Sequence, residues 1–399
     1  MRITRFINEL CLLKDRASCS KNEEKASKHI FELFGLLGIS AVVDEFKSQK
    51  SHTGELVLIL FLFIAAIFSS FASPWTGVVV HTVGLVLFWG YFSNQFKPFA
   101  PLFRHSISTN VVGRIRNEAA PLKVVISAHH DTARSGLLWH PKMVSGFRMS
   151  FLTGVLLLLT AEVILISRIS VQNSKVLDTM LILIGIYVFI QILVLSYGRL
   201  FGTPVQGAND NASGVAVMLD LAARLKENDL EDIEFWFVST GSEETGAVGM
   251  KSFLTHYQED LGKNRTFFIV LDNVGSGTLH YHTAEGMLNL YPFSKKLINA
   301  AKETASRRQF KDVTPAKYRL AYTDAIIPAS KGYHAILLLA TDDDGNIPNW
   351  HWETDTVEHI DFELVQKTSD FVLDMVARLH QTENANRELQ EQIQDMIAG

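Results

Sequence analysis

Histidines and carboxylates stand where this chain passes from apolar, β-branched runs into polar loops, and those side chains are the ones that hold metal ions and move protons. Val124 to Ala128 runs into His129-His130-Asp131, Ile233 to Ser239 into Gly241-Ser242-Glu243-Glu244-Thr245-Gly246, and Phe267 to Leu271 into Asp272-Asn273. Gly207 to Gly214, with Asp210 near its centre, opens a helical pattern, and Trp350-His351-Trp352-Glu353-Thr354-Asp355-Thr356 follows a loop. In open α/β sheets ligands bind at the carboxyl ends of strands, so these positions are expected to converge. Two imidazoles and three carboxylates form a donor set that suits Zn²⁺, with Mn²⁺ or Co²⁺ as substitutes. A pair of ions also needs one carboxylate that bridges them.

In His129-x-Asp131 both side chains point the same way from an extended backbone, so the carboxylate can orient the imidazole. Adjacent Glu243 and Glu244 point to opposite sides, so one can bind metal while its neighbour faces the attacking water. His130 competes with His129 as a ligand, and the spacing to Asp131 favours His129. The acidic run Asp342-Asp343-Asp344-Gly345-Asn346 fails as a calcium loop: alignment on Gly345 puts Ala340 at the first ligand position and His351 at the last. It reads as a solvated loop, and His280, His282 and His334 read as ordinary polar positions.

The elements that carry these residues alternate. An amphipathic helix is expected over Lys21 to Leu37 and a strand over Ala41 to Phe46, then strands at Asn110 to Arg116 and Val124 to Ala128. Helices at Ser213 to Lys226, Met250 to Tyr257, Pro292 to Arg307 and Phe362 to His380 interleave with strands at Ile233 to Val238, Phe267 to Leu271 and His334 to Leu339. This order predicts a three-layer α/β/α domain with a mostly parallel central sheet. Glu383 to Met396 reads as a polar helical tail.

Two apolar tracts interrupt the alternation. Leu56 to Phe96 contains no Asp, Glu, Lys or Arg and is divided by Ser73-Pro74-Trp75-Thr76-Gly77; a second pair covers Phe151 to Ile166 and Thr179 to Tyr197. A spanning helix needs about 17 to 25 residues, so the economical expectation is four transmembrane helices in two hairpins. The chain then divides into 1–48 (N-terminal helices and first strand), hairpin 55–97, catalytic segment 105–140, hairpin 149–198, catalytic segment 205–381 and tail 382–399. Lys47, Lys50, Lys97, Arg104, Lys142, Arg148 and Arg199 flank the spans on the side of the remaining chain, against Arg168 and Lys175 at the tips, which predicts a cytoplasmic catalytic domain. Glu162 lies within the third span, where an ionisable residue is a functional candidate; the plainer expectation is that it reaches water or pairs with Arg168.

Taken together, these segments resemble the di-zinc aminopeptidases of clan MH, the group of aminopeptidase Y and bacterial leucyl aminopeptidases. The resemblance rests on Ser127-Ala128-His129-His130-Asp131-Thr132, Gly207 to Gly214, Glu243-Glu244-Thr245-Gly246, Leu271-Asp272-Asn273-Val274-Gly275, and His351 with Asp355-Thr356, and it covers about Phe31 to His380 apart from the hairpins. It implies two zinc ions, one held by His129 and Asp272, the other by Glu244 and His351, with Asp210 bridging. It further implies Glu243 as general base, Asp131 as the carboxylate that orients His129, and Tyr322 and Asp324 on the substrate side. The departure from the family is the interval between His129 and Asp210, usually a short loop and here filled by the second hairpin.

The implied activity is exopeptidase hydrolysis of peptide N-termini, with short hydrophobic or membrane-released peptides expected from the nearby hairpins. A glutaminyl-cyclase-like acyltransferase and a catalytically inactive membrane scaffold are the alternatives. Bulk composition agrees with a mixed aqueous and membrane protein: 47% hydrophobic and 20% charged residues. A formal net charge of −5 without a basic tract excludes a nucleic-acid footprint. The two cysteines, Cys11 and Cys19, lie away from the candidate ligands and suggest neither a disulfide framework nor a thiolate site. The N-terminal apolar stretch, broken by Asn8 and Glu9, is not expected to be a signal peptide.

Overall fold

The computed structural model describes residues 2–398 apart from 172 and 228–231. Helices α1 (Arg2–Cys11) and α2 (Lys21–Leu36) precede strand β1 (Ser40–Ser48), the helical pair α3 (Thr53–Ala72) and α4 (Pro74–Phe92), and strands β2 (Ser106–Ile115) and β3 (Leu122–His129). A short helix α5 (Pro141–Val144) leads into the pair α6 (Phe147–Ser170) and α7 (Lys175–Phe201). Then come α8 (Ser213–Glu227), β4 (Ile233–Thr240), α9 (Val248–His256), β5 (Thr266–Leu271), β6 (Thr278–Glu285) and β7 (Tyr291–Pro292). The chain continues through α10 (Lys295–Ala305), β8 (Thr314–Tyr318), α11 (Ile326–Ser330), β9 (His334–Thr341) and α12 (Phe362–Ala398).

Local chemistry explains several boundaries. Ser20 caps α2 by accepting the Glu23 amide at 3.1 Å, and Glu23 and Glu24 place negative charge in its first turn. The helix then buries Ala26, Ile30, Leu33 and Phe34. Ser73 caps α4 in the same way, with Pro74 at the first helical position. No glycine or proline interrupts 362–398, so the residues read as a separate tail continue α12 as one helix.

The strands form a single sheet in the order β1-β2-β4-β3-β5-β9-β6-β7, with β8 paired to β6. Its centre, β4-β3-β5-β9, is parallel. These strands are apolar along both faces, as a helix-covered parallel sheet requires. Outside the centre the expectation of a mostly parallel sheet is corrected: β1–β2, β2–β4, β6–β9 and β6–β7 run antiparallel. A return in the same direction needs a crossover of about a dozen residues or more; the link from Asp272 to Gly277 is too short for one, so β6 runs opposite to β5 and therefore to β9, which lies between them. Strands β6, β7 and β8 were not anticipated; β8 contains Pro315, which belongs at a sheet edge. One face packs under α1, α2, α8, α10 and α12 around Phe34, Leu219 and Phe371; the other packs under α9 and α11 around Trp236, Phe253 and Leu337.

Helices α3, α4, α6 and α7 pack on one another around Phe63, Leu165 and Ile184. Close approach depends on small residues: a Cβ added to Gly84 would stand 2.9 Å from the Phe63 ring, and one added to Gly77 only 2.4 Å from Ser70 Cβ. All four are long and apolar enough to cross a membrane. Their outer faces expose large apolar side chains, among them Leu156 and Val163 at 64% each. Glu162 does not pair with Arg168. Six residues apart, the two leave α6 on different sides. Glu162 accepts from His81 and Thr82 of α4, both at 2.7 Å, while Arg168 reaches Asp178 at 3.0 Å and Ser70 O at 3.0 Å.

Candidate active site

Parallel register brings the chemistry together. His129, the last residue of β3, lies beside Thr240, the last of β4, and Asp272 directly follows β5. Glu243 and Glu244 lie on the turn after β4, where Ser242 and Ala247 adopt left-handed backbone conformations. Asp210 precedes α8 on a loop held by Asp355, whose carboxylate accepts the amides of Asn209 (2.6 Å) and Asp210 (3.1 Å). Gly207 is required there: it has φ +64°, and a Cβ would lie 2.3 Å from Thr132 Cγ2 and 2.4 Å from Asp210 O.

Asp210 sits between the two imidazoles. Its Oδ1 is 3.1 Å from His129 Nε2 and its Oδ2 is 3.2 Å from His351 Nε2. On one side Asp272 Oδ1 lies 3.5 Å from His129 Nε2, and on the other Glu244 Oε2 lies 3.2 Å from His351 Nε2. Ligand atoms of His129, Asp210 and Glu244 all fall within 4.8 Å of one another.

The electrostatics are those of an acidic pocket short of cations. Burial pushes the Glu243 carboxyl well above the usual range, and Asp324, Glu244 and Asp272 push it further against the pull of His129. Burial also raises Glu244 and Asp272. Asp210 goes the other way: hydrogen bonds from His129 and His351 outweigh its burial. Burial disfavours the His351 cation, yet Glu244 and Asp210 hold its pKa up at about 10. Glu244 Oε1 is buried with no hydrogen-bond partner. An unpartnered carboxylate oxygen, neighbouring carboxylates and two imidazole nitrogens facing inward fit a divalent cation.

Around this cluster lie further groups, of which only Asp131 carries a signal in the sequence. Asp131 Oδ2 accepts from Ser18 Oγ (2.6 Å) and Glu244 N (3.2 Å), its Oδ1 from Glu243 N (3.0 Å), and Oδ1 is 3.5 Å from His129 Nδ1. Glu23 accepts the Ser242 amide at 2.9 Å. Buried Arg16 donates to the carbonyls of His130, Gln206 and Gly207, each at 2.9 Å, joining the loops that carry His129 and Asp210. His52, at the start of α3, has Nδ1 3.0 Å from Glu244 O, and Lys97, past α4, donates to Gly246 O at 3.2 Å. Burial lowers Lys97 to about 8.

Other expected positions sort clearly. His130 turns away to Ser239 Oγ at 3.0 Å. His280 and His334 pair with Thr314 and Ser294, both at 2.9 Å, far along other strands. Asp342 Oδ1 accepts the amides of Asp344 and Asn346, closing the acidic loop on itself. Tyr322 lines a cavity of 260 Å³ that also touches Glu243, Glu244 and His351, whereas Asp324 is not on that wall and takes a short hydrogen bond from Thr240.

The model of Peptidase family M28 matches residues 190–376, a stretch that contains Asp210, Glu243, Glu244, Asp272 and His351. Over that stretch the chain is similar to Peptidase family M28. Among curated relatives of the M28 domain, the alkaline phosphatase isozyme conversion protein of Escherichia coli is 40% identical over 83 residues, 21% of this chain and 24% of that protein. Aminopeptidase YwaD of Bacillus subtilis is 27% identical over 196 residues, 47% of this chain and 41% of the relative. The chain therefore spans well under half the length of these relatives. A zinc aminopeptidase structure from Bacillus subtilis superposes with a TM-score of 0.56 at 15% identity, covering 94% of both chains. Porphyromonas gingivalis glutaminyl cyclase does so at 0.55 and 12%, covering 94% of this chain and 96% of that one. At such identities the likeness is one of fold.

Proposed function

We propose that the M28 domain makes this chain a zinc-dependent aminopeptidase, anchored in a bilayer by α3, α4, α6 and α7. The observation that carries the reading is the position of Asp210, one carboxylate oxygen directed at each of two imidazoles, with Asp272 and Glu244 on opposite flanks. In this reading His129 and Asp272 would hold one zinc ion and His351 and Glu244 a second, with Asp210 available to both. Bound there, zinc supplies Lewis acidity toward the peptide carbonyl and acidifies the attacking water to a pKa near about 7.

Glu243 performs the proton transfers. Its buried carboxylate takes a proton from the water as the new C–O bond forms. It then delivers that proton to the amine nitrogen as the C–N bond breaks. Asp131 keeps the His129 ring oriented and, through the Glu243 and Glu244 amides, fixes the turn that carries the base. Tyr318, Tyr322 and the rings of Trp139 and Trp350 wall the reaction from bulk water.

The apolar outer surfaces of the four helices support the membrane anchor, and the cationic flanks Lys47, Lys97, Arg104 and Arg199 support a catalytic domain on the cytoplasmic side. The fold shared with a glutaminyl cyclase favours a second reading, cyclisation of an N-terminal glutamine by one zinc. A panel of aminoacyl and glutaminyl peptides, assayed with and without chelator beside zinc analysis, separates the two. Chelator-sensitive release of free N-terminal residues is the expected result; pyroglutamyl product with one zinc would replace the first reading by the second.

A further inference from the structure

The cavity at the carboxylate cluster does not end in the α/β domain. From Glu243, Glu244 and His351 it passes Trp139 and Trp350 and continues between the four apolar helices, where Leu60 of α3, Phe88 of α4, Leu158 of α6 and Val188 of α7 close around it. Along α6 its wall runs from Phe147 through Phe151 and Gly154 to Leu158, one face of the helix and about 16 Å of axis. That depth exceeds any natural side chain. A peptide backbone threaded into it would need partners for each N–H and C=O. The helix walls offer little: Tyr91, Ser150, Tyr187 and Gln191 are their polar residues, and the Tyr187 hydroxyl already donates to Ser150 O at 3.3 Å. A single aliphatic chain needs no such partners.

A second feature lies on the outer side of the same helices. An apolar groove of 360 Å³ lies between α4 and α6, lined by Leu85, Val155 and Leu159 among others, and it shares Phe88 and Leu158 with the inner cavity. These two side chains form the partition between the inner cavity and the outward-facing groove.

Resting on the peptidase reading above, we propose that the substrate is a lipid-modified amide, a scissile bond at the carboxylate cluster joined to one long aliphatic chain that lies between the four helices. The chain is carried either on the N-terminal residue or on the leaving amine.

The test uses the full chain in lipid nanodiscs. Chelator-treated protein is labelled with 2-aminododecanoic amide or leucine dodecylamide, each bearing a diazirine at the chain end, and labelled peptides are identified by mass. The proposal expects labels on inward-facing Leu60 or Val188, and the probe that reaches them tells which side of the bond bears the chain. Labels confined to outward-facing Leu156 and Val163 would overturn it. In the zinc-loaded protein, the ratio of kcat/KM for long-chain over short-chain substrates is expected to fall about tenfold in Leu158→Trp and in Val188→Trp, as roughly two displaced methylenes imply. An outward-facing control, Leu156→Trp, keeps the wild-type ratio. An equal ratio in wild type and both inner variants contradicts the assignment. Inner labelling with no turnover of any substrate removes the peptidase reading and leaves the cavity assignment standing.

Discussion

The carboxylates of Glu162 and Glu244 are both sequestered from bulk water in this chain, and they differ in what surrounds them. Glu162, between α6 and α4, has a partner on each oxygen, His81 Nδ1 and Thr82 Oγ1 at 2.7 Å. Glu244 has one oxygen 3.2 Å from His351 and the other without a partner, beside Asp210 and Glu243. In the first cluster the carboxylate itself is fully partnered and joins α6 to α4, and the one atom left over is a neutral-ring nitrogen, His81 Nε2. The second carries more negative charge than its imidazoles can balance and calls for an external cation. An ionisable side chain inside an apolar helix is thus less informative than the state of satisfaction around it.

Breaking the second cluster is expected to have the larger consequences. Glu243→Gln should leave zinc bound and reduce turnover by about 10²- to 10⁴-fold, the usual contribution of a general base. Steady-state kinetics beside metal analysis checks this, and retained activity removes Glu243 from the mechanism. Asp131→Asn should cost about 10- to 100-fold in activity or zinc affinity, since it loosens His129 and the turn bearing Glu243 without removing a ligand.

Buried imidazoles extend the comparison. His129 and His351, beside carboxylates, are pushed up, whereas His282 on β6 has none near it and burial pushes it down to about 3. Above the unfolded value of about 6.5 this shift costs nothing. Below it the unfolded chain takes up a proton that the folded one refuses, so stability falls by about 1.4 kcal/mol per pH unit. Unfolding midpoints of His282→Gln should accordingly decline less steeply between pH 6 and pH 4 than those of wild type. The smallest effect is expected at the satisfied carboxylate: Glu162→Gln should lower stability by about 0.6 to 1.7 kcal/mol and leave kcat/KM unchanged. A tenfold loss of kcat/KM there would make the two clusters functionally alike.

What could be read from the sequence follows from range. His129, Glu244 and Asp272 announce themselves because each closely follows an apolar run, and parallel register then converts shared position along the strand into proximity. Arg16, Ser18 and Glu23 do not, because their partners at His130, Asp131 and Ser242 lie more than a hundred residues away and the local sequence around Arg16 is ordinary loop. The helical hairpins were legible as apolar length, but their contribution of His52 and Lys97 to the turn after β4 was not. Antiparallel β6 does not stand out because the alternation Leu279-His280-Tyr281-His282 is short and offers only two large apolar residues, and the pairing with β8 and β9 is what makes it a strand.

Metal content of the Asp210→Asn variant tests the central claim most directly. Wild-type protein in detergent should hold two zinc ions per chain, and the variant should lose one or both together with peptidase activity, because the residue faces both imidazoles. A single zinc per fully active wild-type chain, or an Asp210→Asn variant that keeps two, would contradict the bridged pair.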